Sequence, residues 1–204
     1  MRTLAIECAS EACSVALFEG AEMLAHDHRV LGRGHAERLV PMIEALPEKG
    51  KADRILVSRG PGSFTGVRIG IATARALGIA WDAEVLGYPT LALVSAVVRA
   101  SHPGEPVSVA MRGGHGEIFV QDFDASGIPE GDVQSLIPER AAEAAQHALL
   151  AGTMAEELQQ ARSHGTALPM HPDARHVLDL PPGLLTSDVS PIYGRAPDAK
   201  LPAA

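Results

Sequence analysis

Residues 58–80 read SRGPGSFTGVRIGIATARALGIA, and the rest of the chain is organised around this stretch. The apolar run Ile55-Leu56-Val57 ahead of it predicts a short buried strand. A Gly/Pro loop follows, then about four turns of uninterrupted helix pattern from Val67 to Ala80. Ser63 or Thr65 is placed to cap that helix with a hydroxyl over its first free N–H groups. A phosphate cradle at the helix N-terminus is one reading of the loop. Its details do not match the familiar cradles: Gly60-Pro-Gly62-Ser-Phe-Thr-Gly66 is one residue too long for GxGxxG, and no P-loop Lys follows. On the loop alone, a tight strand-to-helix turn is the preferred reading.

The helix pattern carries a second signal. Gly66, Gly70, Ala74 and Gly78 recur every fourth residue and form one nearly bare stripe. Each glycine costs a helix about 1 kcal/mol relative to alanine, so three on one face imply that another backbone packs closely there. That backbone can belong to the same chain or to another. Arg68 and Arg75, seven apart, share a different face, where solvent or acidic partners are expected. If that face borders an interface, each arginine pairs across it with an acidic group.

The 204 residues suffice for one large domain or two small lobes. Aromatics are sparse at 3%, and a net charge of −8 argues against the chain binding nucleic acid by itself. Cys8 and Cys13 are too few and too close for a disulfide framework. Met1-Arg2-Thr3 runs directly into strand-like sequence without a secretory pattern. No apolar run approaches the roughly 20 residues of a membrane span. A cytoplasmic protein is the expectation.

Leu4–Cys8, Cys13–Phe18 and Glu22–His28 read as three consecutive antiparallel strands. A helix begins at His35 and keeps its spacing to Leu46, with Pro41 expected to kink it. After the central helix come a strand at 84–87 and a helix from Pro89 to about Arg99. Ser101–Pro106 is the candidate boundary between a first lobe, 1–103, and a smaller second lobe, 104–204. There the pattern starts afresh: a hairpin at 107–111 and 117–123 around Arg112-Gly-Gly-His-Gly116, a helix at 138–145, a strand at 148–151 and a helix at 154–162. Little regular structure is expected from His164 onward.

This layout resembles the two-lobed α/β actin-like ATPase (ASKHA) fold with a reduced second lobe. RGPGSFTGVRIGIATARALG is similar to the signature of the bacterial TsaB (YeaZ) family. LAIECASEACSVAL at the start, HGEIFV at 115–120 and PIYGRAPDAK at 191–200 agree with it. The resemblance implies a non-catalytic subunit in the synthesis of threonylcarbamoyladenosine at adenosine 37 of ANN-decoding tRNAs. It implies pairing with a TsaD-like transferase, a TsaE-like ATPase as a further partner, and a homodimer formed through first-lobe helices. Contact with tRNA comes only through the complex, and no membrane is involved. Gly66, Arg68, Gly70, Ala74, Arg75, Gly78 and His35 are the interface residues expected on that basis.

Three positions depart from the family pattern. Glu7 stands where Asp is usual at the first-strand carboxylate, which would displace a bound cation. Arg112 lies where relatives often carry Asp, and Gly194 replaces a usual Leu, which bears on the packing of Tyr193 and Arg195. A helical metal-histidine pair is absent, because His35 is followed four residues later by Leu39. His26 and His28 share a strand face without an evident third ligand, and His171 and His176 lie in an irregular segment. No cofactor is expected, save a nucleotide shared at a complex interface. The alternative is an independent enzyme, a glycoprotease-like hydrolase with Ser63 on its strand-to-helix turn or a small-molecule kinase. Ser63 lacks the G-x-S-x-G context, and residues 151–190 lack a glycine-rich adenosine loop.

Overall fold

The structure, a computed structural model, describes residues 1–194. β1 (Arg2–Glu7), β2 (Ala12–Glu19) and β3 (Glu22–Val30) form the expected antiparallel meander. α1 (His35–Glu44) leads to β4 (Arg54–Ser58), which pairs parallel with β1. α2 (Phe64–Trp81) carries the chain across to β5 (Glu84–Tyr88), and α3 (Thr90–Ser101) ends this half. The first sheet has the order β3-β2-β1-β4-β5.

The second half repeats the plan. β6 (Val107–Arg112), β7 (Ile118–Phe123) and β8 (Gln134–Leu136) are antiparallel. α4 (Pro138–Ala144), β9 (Leu149–Gly152), α5 (Ala155–Arg162) and β10 (Thr166–Pro169) complete it, with β9 parallel to both β6 and β10. The order β8-β7-β6-β9-β10 is the first sheet's order again. The second lobe is reduced in element length, not in strand number: β8 has 3 residues, β10 has 4 and α4 has 7. β10 corrects the expectation of an irregular segment after His164. It is a four-residue edge strand ending in Pro169, where a missing donor costs nothing on the outer side.

Strand alternation builds the layers. Leu4 and Ile6 of β1 face α1 and α2, with Leu39, Ile43, Val67 and Ile71. Ala5, from the same strand, faces the opposite way into a core holding Leu91 and Val94 of α3 and Val107 and Val109 of β6. α3 is therefore shared between the two sheets, and all of it from Thr90 to Ala96 is buried. α4 and α5 cover the far face of the second sheet through Ala141, Ala155 and Leu158. α1 continues through Pro41 to Glu44.

After β10 the chain returns to the first sheet. Ala174 N–H donates to Ser14 Oγ at 3.1 Å, and Gly87 and Thr186 exchange backbone bonds of 2.7 and 3.1 Å. Val189 is buried beneath α2. The segment 186–194 thus straps the first lobe and ends over the gap between the lobes.

Candidate functional site in the interlobe cleft

The two sheets present their first hairpins to each other across a cleft of about 700 Å³. One wall is the β1–β2 turn, Ala9 to Glu11, with the start of α2. The other is the β6–β7 turn, Met111 to His115, with Phe119; Pro191 to Gly194 close one end.

The β1–β2 turn is tied on every side. Glu7 is fully buried and turns its carboxylate under the hairpin, where Oε1 accepts the Ala9 N–H at 2.6 Å. Ser10 Oγ accepts the Ala12 N–H at 3.1 Å. The Ala9 carbonyl accepts the Ser63 N–H at 2.7 Å. An anion-binding hairpin needs free amides; here the chain's own Glu7 and Ser10 occupy two of them. Glu7 is therefore not a displaced metal ligand facing the cleft. Burial pushes its carboxyl up to about 7, partly offset by hydrogen bonds from Ala9, Ser58 and Tyr88. Tyr88 donates its hydroxyl to the Ile6 carbonyl at 2.9 Å beside it.

Ser63 caps α2, accepting the Gly66 N–H at 3.2 Å, and Thr65 lies inside the helix. The glycine stripe has found its backbone inside the chain. A Cβ on Gly66 would overlap the Cys8 carbonyl, one on Gly62 the Ala9 carbonyl, and one on Gly78 would come within 2.5 Å of Val85 Cγ2. Ala74 is fully buried. Gly66, Gly70, Ala74 and Gly78 therefore pack on β1, β4 and β5 and do not lie at a surface. The expected intermolecular stripe is corrected to an internal one, because α2 sits directly on the strand ends.

His35 is also internal. It is 7% exposed and its Nε2 lies 2.9 and 3.2 Å from the Ser10 and Ala12 carbonyls, pinning α1 to the β1–β2 turn. Arg68 and Arg75 do lie on the outer side of α2, and their hydrogen bonds there run to the chain's own returning segment. The Arg68 guanidinium stacks 3.4 Å from the Phe64 ring centroid and donates to Tyr193 Oη at 2.8 Å. Arg75 reaches the Val189 carbonyl at 3.5 Å. Both hold the returning strap, as does Arg59, which donates to the Ser190 carbonyl at 2.8 Å.

Sequence reading missed the aromatic edge of the cleft. Phe64 and Tyr193, 60% and 54% exposed, are two of the few aromatics in the chain, and their rings stand 6.1 Å apart around Arg68. Scarcity was the available signal: in an aromatic-poor chain, two rings exposed side by side stand out. Gly194 now has a reason, since a Cβ there would come within 2.7 Å of Phe119. Arg195 to Lys200 of the tail motif lie outside the described residues. Arg112 points across the mouth of the cleft to Glu11, 3.4 Å away, in a half-exposed ion pair. Such a pair contributes under about 1 kcal/mol. Among the described residues no group of three or more His, Cys, Asp or Glu is arranged to hold a metal. His171 lies by Ser10 Oγ at 3.4 Å, with His28 beside it.

Comparison with known proteins agrees with this architecture. The family model for TsaD, tRNA N6-adenosine threonylcarbamoyltransferase, matches residues 29–178. The tRNA threonylcarbamoyladenosine biosynthesis protein TsaB of Escherichia coli is 34% identical over 139 residues, 65% of this chain and 60% of that protein. The match thus spans less than two thirds of that relative's length. The solved structure of YeaZ from Pseudomonas aeruginosa superposes with a TM-score of 0.77 at 27% identity, covering 94% of this chain and 99% of that one. EutJ from Carboxydothermus hydrogenoformans, at 10% identity and a TM-score of 0.50, shares only the actin-like fold. With three quarters of its length under one family model and its two-lobed fold shared with YeaZ, the chain belongs to the TsaD family, and within it resembles the TsaB (YeaZ) proteins.

Proposed function

We propose that the chain is a non-catalytic subunit in the synthesis of threonylcarbamoyladenosine at position 37 of tRNA, acting in the cytoplasm by pairing with a TsaD-like transferase. The observation that carries this reading is the whole-fold likeness to YeaZ, together with the biosynthetic role in the name of its TsaB relative. The non-catalytic part is supported by the β1–β2 turn, whose Ala9 and Ala12 amides are taken by Glu7 and Ser10. A TsaE-like ATPase joins the pair, tRNA is met only in the complex, and a homodimer is the resting alternative. Any nucleotide is shared at the subunit interface.

The pairing surface belongs on the outward face of α2 and the neighbouring α1. Ala72, Arg75, Ala76 and Ile79 recur there at helical spacing, and Ile79 is 88% exposed, with Val40 of α1 at 53%. Small side chains flanking a large exposed aliphatic one allow close helix contact. Arg75 lies on this face and Arg68 borders it.

Reconstitution tests the reading. Purified chain, TsaD-like and TsaE-like proteins are combined with ATP, threonine, bicarbonate, the enzyme supplying the threonylcarbamoyl donor, and an ANN-decoding tRNA; modified nucleoside is quantified by mass spectrometry. Product requires the chain and the TsaD-like protein together, and Ala76→Glu lowers complex formation at least tenfold with an unchanged melting temperature. Turnover by the chain alone, or an Ala76→Glu variant that still binds its partner normally, overturns it.

A further inference from the structure

Cys8 and Cys13 flank the β1–β2 turn, and nothing in the proposed function uses them. β1 and β2 pair without a shift from Arg2↔Glu19 to Glu7↔Ser14, so the next pair is Cys8 opposite Cys13. At the other end of the ladder Gly20 N–H donates to the Met1 carbonyl at 3.0 Å, which makes Met1/Gly20 a hydrogen-bonded pair. Alternation along the ladder then makes Glu7/Ser14 hydrogen-bonded and Cys8/Cys13 non-hydrogen-bonded. Residues so placed have Cα atoms about 4.5 Å apart, within the range a disulfide spans. The side chains agree with the backbone: both are free thiols, and their sulfurs lie 3.6 Å apart.

We infer that Cys8 and Cys13 are a redox modification site, a thiol pair that hydrogen peroxide closes to an intrachain disulfide. Exposures of 1% and 0% select a water-sized oxidant over a bulky disulfide. Cys13 is the nucleophile. The Cys8 thiol is held up by its hydrogen bond to Cys13 and by burial, and so keeps its proton. The Cys13 thiol releases its proton, and the thiolate attacks one peroxide oxygen; the O–O bond breaks, Cys13 becomes a sulfenic acid, and the leaving hydroxide takes up that proton as water. Cys8 sulfur then attacks Cys13 sulfur, the S–O bond breaks, and the Cys8 proton leaves with the hydroxyl as water. Two thiols and one peroxide give one disulfide and two waters; sulfur is oxidised and peroxide oxygen reduced. A dithiol reverses the change.

Closing the bond draws the sulfurs from 3.6 Å to about 2.05 Å. It tightens a turn whose Ala9, Ser10 and Glu11 line the cleft and whose Cys8 carbonyl lies under Gly66. Oxidation is therefore felt at the start of α2 and at the cleft wall.

The test uses the native full chain exposed to hydrogen peroxide, quenched with catalase, unfolded, alkylated and weighed intact. The expected result is loss of two hydrogens, disappearance of both alkylatable thiols, a Cys8–Cys13 linked peptide, and full reversal by dithiothreitol. Cys8→Ser should leave a sulfenic acid at Cys13 that dimedone captures when the quenched protein is unfolded in its presence, and Cys13→Ser should be labelled at least tenfold less. The wild-type mass measurement stands even if a variant folds poorly. Both thiols remaining alkylatable in native protein, under peroxide that links them in unfolded chain, overturns the inference. So does oxidation of a single sulfur to sulfinic acid, or a link between two chains in place of the intrachain one.

Discussion

The two hairpins that face each other across the cleft occupy equivalent places in a duplicated plan and are built in opposite ways. The first, from Glu7 to Ala12, has no glycine, and its backbone is engaged by four neighbouring residues: Ser63 at the Ala9 carbonyl, His35 at the Ser10 and Ala12 carbonyls, and Leu31 and Gly32 at the Glu11 carbonyl. The second, from Arg112 to Ile118, carries three glycines. Its local backbone bonds run within the turn, from Gly113 N–H to the Glu117 carbonyl and from Glu117 N–H to the Gly114 carbonyl. The residues that end the two first strands diverge likewise, Glu7 fully buried and the Arg112 side chain 58% exposed. Repeated topology therefore fixes where a hairpin stands, while the helices packed on it fix whether its polar groups are spoken for. The first is a structural joint; the second is anchored at its base, where Arg112 N–H donates to Thr153 Oγ1 at 3.0 Å, and leaves an uncrowded glycine tip at Gly114 and Gly116 on the cleft wall.

The largest test of that contrast is Gly66→Ala. Its Cβ would overlap the Cys8 carbonyl, a backbone atom at the tied end of the first hairpin, so α2 or β1 must shift. The expected loss is about 3 kcal/mol or more, at the upper end of overpacking effects, measured as a denaturation midpoint. Gly70→Ala is the control on the same stripe. Its Cβ would stand 3.6 Å from Cys8 Cβ and from Val57 Cγ2, in ordinary contact. It should therefore gain up to about 1 kcal/mol from helix propensity. Equal losses at both positions would show that the stripe does not sense the hairpin at all.

Glu7 gives the next largest effect, and its sign follows from burial. Its folded value of about 7 lies above its ordinary 4.5, so between those values the folded state holds a proton that the unfolded state has released. Stability is full below about pH 4.5, falls as pH rises toward 7, and then levels off, by roughly 3 kcal/mol in all. Glu7→Gln keeps an acceptor for the Ala9 N–H and removes the charge. It should match wild type at about pH 4 and exceed it at about pH 8. Parallel stability-versus-pH curves for the two proteins would break the account of Glu7 as a buried carboxyl under the turn.

Much of this was legible in the sequence. Apolar runs placed most strands within a few residues, and the fresh start at Val107 announced the duplication. β8 and β10 were not legible, because three- and four-residue edge strands carry too short a pattern to register. The glycine stripe was read correctly as a close backbone contact, but one periodic face cannot say whose backbone fills it. His35 was hidden for a similar reason: its partners, the Ser10 and Ala12 carbonyls, are backbone groups far away in sequence. The Arg68–Phe64–Tyr193 cluster joins Arg68 to a residue 125 positions away, a contact that only the returning strap creates.

The smallest expected effect tests the other side of the comparison. Gly114 sits at the tip of the second hairpin with nothing within 4 Å of the position a Cβ would take, and its backbone is not in the left-handed region. Alanine there meets no atom and requires no unusual conformation. It also narrows the unfolded ensemble slightly, which offsets any loss of local freedom. Gly114→Ala should therefore stay within about 0.5 kcal/mol of wild type, as surface changes away from special features do. Gly116, two residues on, separates space from conformation. It too has open surroundings, but its φ is +81°, so alanine at Gly116 should cost about 1 kcal/mol through backbone strain alone. A large loss at Gly114 would mean that the tip of the second hairpin is held by contacts as close as those of the first, and the distinction between joint and open tip would fail.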